Sequence, residues 1–215
     1  MKDIDPVRLC NPVDNMTDKP AYRQASVADS NFIADMIEVS SDGVALIEWT
    51  GAAQAAGDRT ALEVGAGMYA AGEGDYSYRN CILAQVAGRR AGILLSFPVL
   101  ARDPTDQVQS PPFDGTDVFA PYKYLEAPET WYICGVAVLP EYRGHGIGSQ
   151  LMAIAGQQAR EHDYDRLSLV VFEQNTTALR LYQRLGYEVI DRAPVVPHPL
   201  IRCSGDALLM VAPAC

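Results

Sequence analysis

Residues 143–149, Arg-Gly-His-Gly-Ile-Gly-Ser, have the types and spacing to hold a phosphate. The run 131–139 before them is rich in β-forming residues and gives way at Pro140. After them Ile147, Leu151, Ile154 and Ala155 recur at the spacings of one helical face. The glycines therefore lie where a strand passes into a helix N-terminus. Such a junction presents unpaired backbone N–H groups and the positive end of the helix dipole. Glycine lets a bulky anion approach that backbone closely. The chemistry is that of a diphosphate cradle.

The run is not a Walker loop, because Gly-Lys-Ser/Thr is missing. Nor is it the dinucleotide fingerprint, since Ser149 stands where a third glycine belongs. It fits Arg/Gln-x-x-Gly-x-Gly/Ala, with Arg143, Gly146 and Gly148 in the fixed places. A second segment reads Asn175-x-x-Ala178-x-x-x-Tyr182-x-x-x-Gly186-Tyr187. In these two segments the chain resembles the GNAT superfamily of acyl-CoA-dependent N-acyltransferases. The resemblance implies an α/β fold, with a central mixed, mostly antiparallel sheet that splays at the cofactor cleft and is flanked by helices.

The resemblance also implies a site. Acetyl-CoA would lay its pyrophosphate on Arg143, Gly144, His145, Gly146, Ile147, Gly148 and Ser149, and its pantetheine arm along Val136, Ala137 and Val138. Asn175 and Ala178 would face the pantetheine or thioester, and the Tyr182 phenol would serve the leaving thiolate. An N–H near Val136 would receive the oxyanion. The expected activity is transfer of acetyl to a primary amine of a small molecule or peptide, by direct attack in a ternary complex. The alternative is an acyl-CoA sensor or partner-binding module without turnover. No metal is called for.

Other residues also bear on the chemistry. Glu126 and Glu129 lie just before the 131–138 strand, where a base would be useful. By strict alternation Thr130, Tyr132 and Cys134 share a face with Val136, so Glu129 points away unless a bulge intervenes. Cys134 reads as packing rather than an acyl carrier. His145 and His162 read as exposed loop or helix-end residues, and His198 has no partner visible in sequence.

Charge is unevenly placed. The 215 residues carry a net charge of −10; residues 1–142 hold 10 basic and 20 acidic side chains, and residues 143–215 hold seven of each. Such a chain is unsuited to nucleic acid. Its acidic part, including Asp103, Asp106, Asp114, Asp117 and Glu126 of the segment 101–128, would draw a cationic amine acceptor. No apolar run reaches membrane-span length, and no signal pattern opens the chain. The five cysteines have no paired spacing, which suits a reducing cytoplasm. The oligomeric state is open, a homodimer being one option.

The elements that must position these residues follow. An irregular arm is expected over 1–20 and a single acetyltransferase domain over 21–215, with an insertion at about 101–128. A short strand over 22–26 precedes a helix over 28–40, entered through Ser26-x-x-Asp29. Gly43 and Trp49-Thr50-Gly51 read as breaks. A second helix spans 59–71, weakened by Gly65 and Gly67. A hairpin turns at Gly88. The insertion, with its prolines and aromatics, is expected to form a lid or wall carrying a short helix near 119–126. The central strand, cradle and helix to about 162 are followed by a strand over 166–172 and a helix opened by Asn175 and closed by Gly186. Strands over 187–191 and 207–211 end the chain.

Overall fold

The computed structural model describes residues 18–101, 117–119, 122 and 125–214. Most of the expected arm and insertion, including half of the residues of the short helix near 119–126, lies outside them. The elements are β1 (Ala21–Gln24), α1 (Ser30–Ser40), α2 (Val44–Ala56), α3 (Ala61–Ala71), β2 (Cys81–Val86), β3 (Arg89–Val99), β4 (Thr130–Val138), α4 (Ile147–Glu161), β5 (Arg166–Phe172), α5 (Thr176–Arg184), β6 (Glu188–Pro194) and β7 (Asp206–Pro213). The seven strands form one sheet in the order β1-β2-β3-β4-β5-β7-β6. Every neighbouring pair is antiparallel except β4 and β5.

The β2–β3 hairpin turns through Ala87 and Gly88, both at positive φ, 50° and 74°. Two such residues match the twist of the flanking strands. Alternation along the strands then sorts the core into two layers. Leu83, Ile93 and Leu95 pack with Ile33, Met36, Trp49 and Tyr69 beneath α1, α2 and α3. Ala84, Leu94, Trp131 and Ile133 pack with Ile147, Leu151, Ala155 and Tyr182 beneath α4 and α5.

Gly43 does end the first helix and separates it from α2, but the reading of 49–51 as a break is corrected, since those residues lie within α2. Gly43 (φ 92°) and Gly57 (φ 82°) mark its ends. Its periodicity is faint because it is apolar on two sides. Ala45, Leu46 and Trp49 face the α1–α3 core, while Val44 and Ile47 face a third cluster around Leu125, Phe172, Ile201 and Leu209. A helix packed on both flanks lacks a single polar stripe. Gly65 is the seat of Trp49 rather than a weakness in α3, for a Cβ there would lie 2.7 Å from the indole.

The third cluster joins the end of the expected insertion to the loop between β6 and β7. Leu125 and Ala127 pack with Val195 and Ile201. The same loop is tied to the α1–α2 turn. Arg202 donates its N–H to the Asp42 carbonyl at 2.9 Å, and its guanidinium bonds Glu38.

β4 carries an irregularity that bears on the site. Leu95 pairs with Gly135 and Ser96 with Ile133, so Cys134 is an extra residue without a β3 partner. The bulge shifts the alternation by one. Tyr132, Cys134 and Ala137 belong to the α1–α3 layer, while Ile133, Val136 and Val138 belong to the α4 layer. The expectation that Tyr132 and Cys134 share the face of Val136 is therefore wrong, for the reason a bulge supplies.

Candidate active site

β4 and β5 pair at only three positions, Trp131 with Leu167, Tyr132 with Ser168 and Ile133 with Leu169. Past Ile133 each continues with its other neighbour, β4 with β3 as far as Val138 and β5 with β7 as far as Phe172. The strands have parted, and among the described residues the β5-facing edge of residues 134–138 has no partner strand. An unpaired edge in a narrowing cleft can pair with an extended ligand as an added strand does.

The cleft opens onto the cradle. After β4 the chain makes one tight turn, Pro140–Tyr142, with Tyr142 buried. Arg143 folds back, its Nε donating to the Val138 carbonyl at 2.9 Å, so it clamps the loop to the strand end. Gly144 and Gly146 both take φ 80°. Ile147 is fully buried and fixes the start of α4, whose first bond runs from Gln150 N–H to the Gly146 carbonyl at 3.0 Å. The N–H groups of residues 144–149 meet no acceptor among the described residues. A Cβ on Gly144 or Gly146 would meet nothing within 4 Å, and one on Gly148 only the Leu181 side chain at 3.7 Å. Protein packing therefore does not fill this space. Unpaired donors at a helix N-terminus, with room before them, fit a diphosphate. His145 and Ser149 are exposed at the rim.

α5 supplies the other wall. Asn175 is its N-cap, with Oδ1 accepting the Ala178 N–H at 3.1 Å. That carbonyl and that N–H serve the helix, which leaves only the carboxamide NH₂ of Asn175 for anything else. Ala178 is half-buried against the α4-side core. Tyr182 is buried, at 7% exposure, its ring 5.8 Å from that of Tyr187. Its hydroxyl makes no hydrogen bond among the described residues. Burial pushes the phenol up to about 12, so it holds its proton across the neutral range. Tyr182 belongs to the α4-side core, and Tyr132 packs on the opposite face of the sheet.

On that opposite face lies a set of residues that the sequence reading did not join. Tyr76 packs edge-on to Phe97 at 5.7 Å, and Phe97 edge-on to Tyr132 at 5.6 Å. Burial raises Tyr132, and the nearby Cys134, Tyr76 and Glu126 raise it further. Cys134, burial, Glu48 and Asp75 raise Tyr76. Burial, then Asp75, pushes the Cys134 thiol up to about 12. A thiol held so far above neutral is a poor nucleophile. Glu48 escaped notice because α2 was read as a break, and Tyr76 because it follows a glycine-rich loop.

The remaining candidates lie elsewhere. Glu129, at φ 56°, donates its N–H to the Val99 carbonyl. It lines a shallow hollow of about 420 Å³ with Asp163, Tyr164 and Arg166, beside the other end of β4. The His162 ring stacks on Trp131 at 4.9 Å. His198 Nδ1 accepts the Leu200 N–H at 3.2 Å in a local turn. Among the described residues no three His, Cys, Asp or Glu side chains are grouped to hold a metal, and no helix is long and apolar enough to cross a membrane.

Residues 103–187 match the Acetyltransferase (GNAT) family. Over those residues the chain is similar to GNAT acetyltransferases. Bovine thialysine N-epsilon-acetyltransferase is 33% identical over 75 residues, which are 33% of this chain and 44% of that protein. The chain thus spans less than half the length of this curated relative. The GNAT fold extends further than the sequence match. The crystal structure of an acetyltransferase superposes with a TM-score of 0.60 at 17% identity, over 90% of this chain and 99% of that one. A presumed acetyltransferase from Salmonella typhimurium, solved with its cofactor acetyl-CoA, gives 0.55 at 20% identity, over 91% and 94%.

Proposed function

We propose that this protein is an N-acetyltransferase, moving acetyl from acetyl-CoA to a primary amine by direct attack within a ternary complex. The observation that carries the reading is the parting of β4 and β5 beyond Ile133 and Leu169, with the glycine cradle following β4. Acetyl-CoA supplies the activated acetyl thioester. The backbone of residues 143–149 holds its diphosphate, with Arg143 keeping the loop in place. The free edge at Val136, Ala137 and Val138 orders the pantetheine arm, with Asn175 and Ala178 opposite.

An N–H of that edge receives the negative charge that grows on the carbonyl oxygen as the amine attacks. The Tyr182 phenol faces the leaving sulfur. At about 12 it is a weaker acid than an ordinary thiol, near 8.5. Its part is a hydrogen bond to the developing thiolate. Cys134 holds its proton and forms no acyl-enzyme. The bovine relative is named for acetylating the ε-nitrogen of thialysine, which supports an aliphatic amine as acceptor here. Free thiols at Cys81, Cys134 and Cys203 support a reducing compartment such as the cytoplasm.

The test is thiol release from acetyl-CoA across primary amines, with both substrates varied. Intersecting initial-rate lines and an acetylated amine are expected. Tight acetyl-CoA binding without turnover on any amine would overturn catalysis and leave a sensor. Parallel lines would overturn direct attack.

A further inference from the structure

We propose that Tyr76, Phe97 and Tyr132, with Asp75 and Glu48 beside them, form a receptor for a second positive charge on the acceptor, so that the preferred substrate class is an aliphatic diamine or polyamine. The inference rests on the acetyl-transfer reading and assigns the acceptor side of that site.

The geometry is a chain of three rings leading outward. Tyr132 stands on β4 one residue before the point where β4 and β5 part, in the α1–α3 layer. Phe97 lies edge-on to it at 5.6 Å, and Tyr76 edge-on to Phe97 at 5.7 Å. Phe97 is buried, at 7% exposure, and Tyr76 at the outer end is 48% exposed. Aromatic faces attract ammonium groups, and the attraction is larger where water is partly excluded.

Charge points the same way. Glu48 on α2 and Asp75 in the loop before β2 are both exposed carboxylates, and both act on Tyr76. The groups that act on Tyr76, Tyr132 and Cys134 are all tyrosines, a cysteine or carboxylic acids, with no arginine or lysine among them. Surroundings that are only neutral or negative leave positive charge to be brought by the ligand.

Chemistry decides which nitrogen the rings hold. The reacting nitrogen must be unprotonated to attack. Carboxylates and ring faces stabilise the protonated form and would oppose that step. They suit a different nitrogen, one that stays charged while the other reacts at the gap near Tyr182. Two basic nitrogens joined by a short aliphatic chain meet both demands.

The test uses 1,4-diaminobutane against 1-aminobutane, titrated calorimetrically into the protein with and without saturating CoA, and assayed as acetyl acceptors. Tyr76→Leu, Asp75→Asn and Glu48→Gln change exposed side chains, so folding is preserved. The diamine should bind and react at least tenfold better than the monoamine. Each variant should weaken the diamine three- to tenfold and leave the monoamine and CoA unchanged. Added salt should reduce the preference. Equal affinity for the two amines, or diamine affinity unchanged in all three variants, would overturn the receptor while acetyl transfer to the monoamine stood. Absence of CoA binding would overturn the acetyl-transfer reading instead, and the titrations without CoA would still decide the receptor.

Discussion

Ile133 and Leu169 are the last residues at which β4 and β5 touch as a ladder. Beyond them the parallel pair opens while both strands keep their outer neighbours. The sheet can therefore present a free edge without losing its core, since Leu94, Ile133, Leu169 and Met210 remain fully or almost fully buried at the point of parting.

The cradle predicts a separable effect on CoA. Gly146→Val puts a side chain into open space before the unpaired N–H groups, at a residue whose φ is 80°. CoA affinity should fall tenfold or more, about 1.4 kcal/mol. The positive φ adds strain of roughly 1–2 kcal/mol for a β-branched residue. Gly146→Asn separates the effects, because asparagine tolerates the left-handed region. Calorimetry should show CoA affinity reduced in both, with the melting temperature lowered in the valine variant alone. Full CoA affinity in the asparagine variant would mean that strain, and not obstruction, explains the loss.

Tyr182→Phe should lower kcat about 100-fold, the scale for loss of one donor to a developing charge, with CoA affinity unchanged. The phenol sits at about 12, raised by burial, so the wild-type rate should climb as an amine near 10.4 deprotonates and show no fall below about pH 11. The same shift fixes a stability trend. A folded pKa above the unfolded value of 10 gives stability that is whole below pH 10 and declines as pH rises through the folded value. Stopped-flow rates and melting curves from pH 7 to 11 check both. A variant as fast as wild type, with chemistry rate-limiting, would return Tyr182 to a packing role.

Much of this site was legible because its signals are local. The cradle, the cap at Asn175 and the C-terminal Gly186 (φ 84°) each depend on residues within one turn of one another. What escaped depends on distant partners. The bulge at Cys134 exists only in the register against Leu95 and Ser96, so alternation along β4 alone gave the wrong face. α2 was hidden because two different cores cover it. With it went Glu48, one of the two carboxylates that act on Tyr76.

Gly65→Ala tests the α2–α3 contact that holds Glu48 in place. A Cβ at this position would lie 2.7 Å from the ring of Trp49, which is buried and set edge-on to Tyr69 at 6.3 Å. Neither ring has room to yield. Overpacking of this kind costs about 1–3 kcal/mol, against a helix-propensity gain of about 1. Thermal unfolding should show net loss. A variant as stable as wild type would mean that α2 shifts freely on α3.

Asp29 offers the clearest test on the stability side. Its carboxylate is 1% exposed and takes two bonds from Arg23, at 2.8 and 3.1 Å, and one from Arg90 at 2.9 Å. It also accepts the Ser26 N–H at 2.9 Å and hydroxyl at 2.8 Å. It thus joins β1, β3 and the turn that enters α1. The hydrogen-bonded Arg23 guanidinium, helped by Ser26 and opposed by burial, holds the carboxyl well below the usual carboxylate range. Asp29→Asn keeps the shape but sets an NH₂ against a guanidinium and removes the charge. The cost should be about 3 kcal/mol, the lower end for breaking a buried pair, because both arginines are partly solvated. For a chain of this size that is roughly 6–12 °C in melting temperature. The sign with pH follows from linkage. A depressed folded pKa gives stability that is present above the unfolded value near 3.9 and is lost as pH falls below it. The gap between wild type and Asp29→Asn should therefore be constant from pH 8 to 5 and shrink below pH 4, as the unfolded wild-type chain takes up a proton at Asp29 that the folded carboxylate does not. A gap that stayed constant down to pH 3 would show that shape, and not charge, makes Asp29 stabilising.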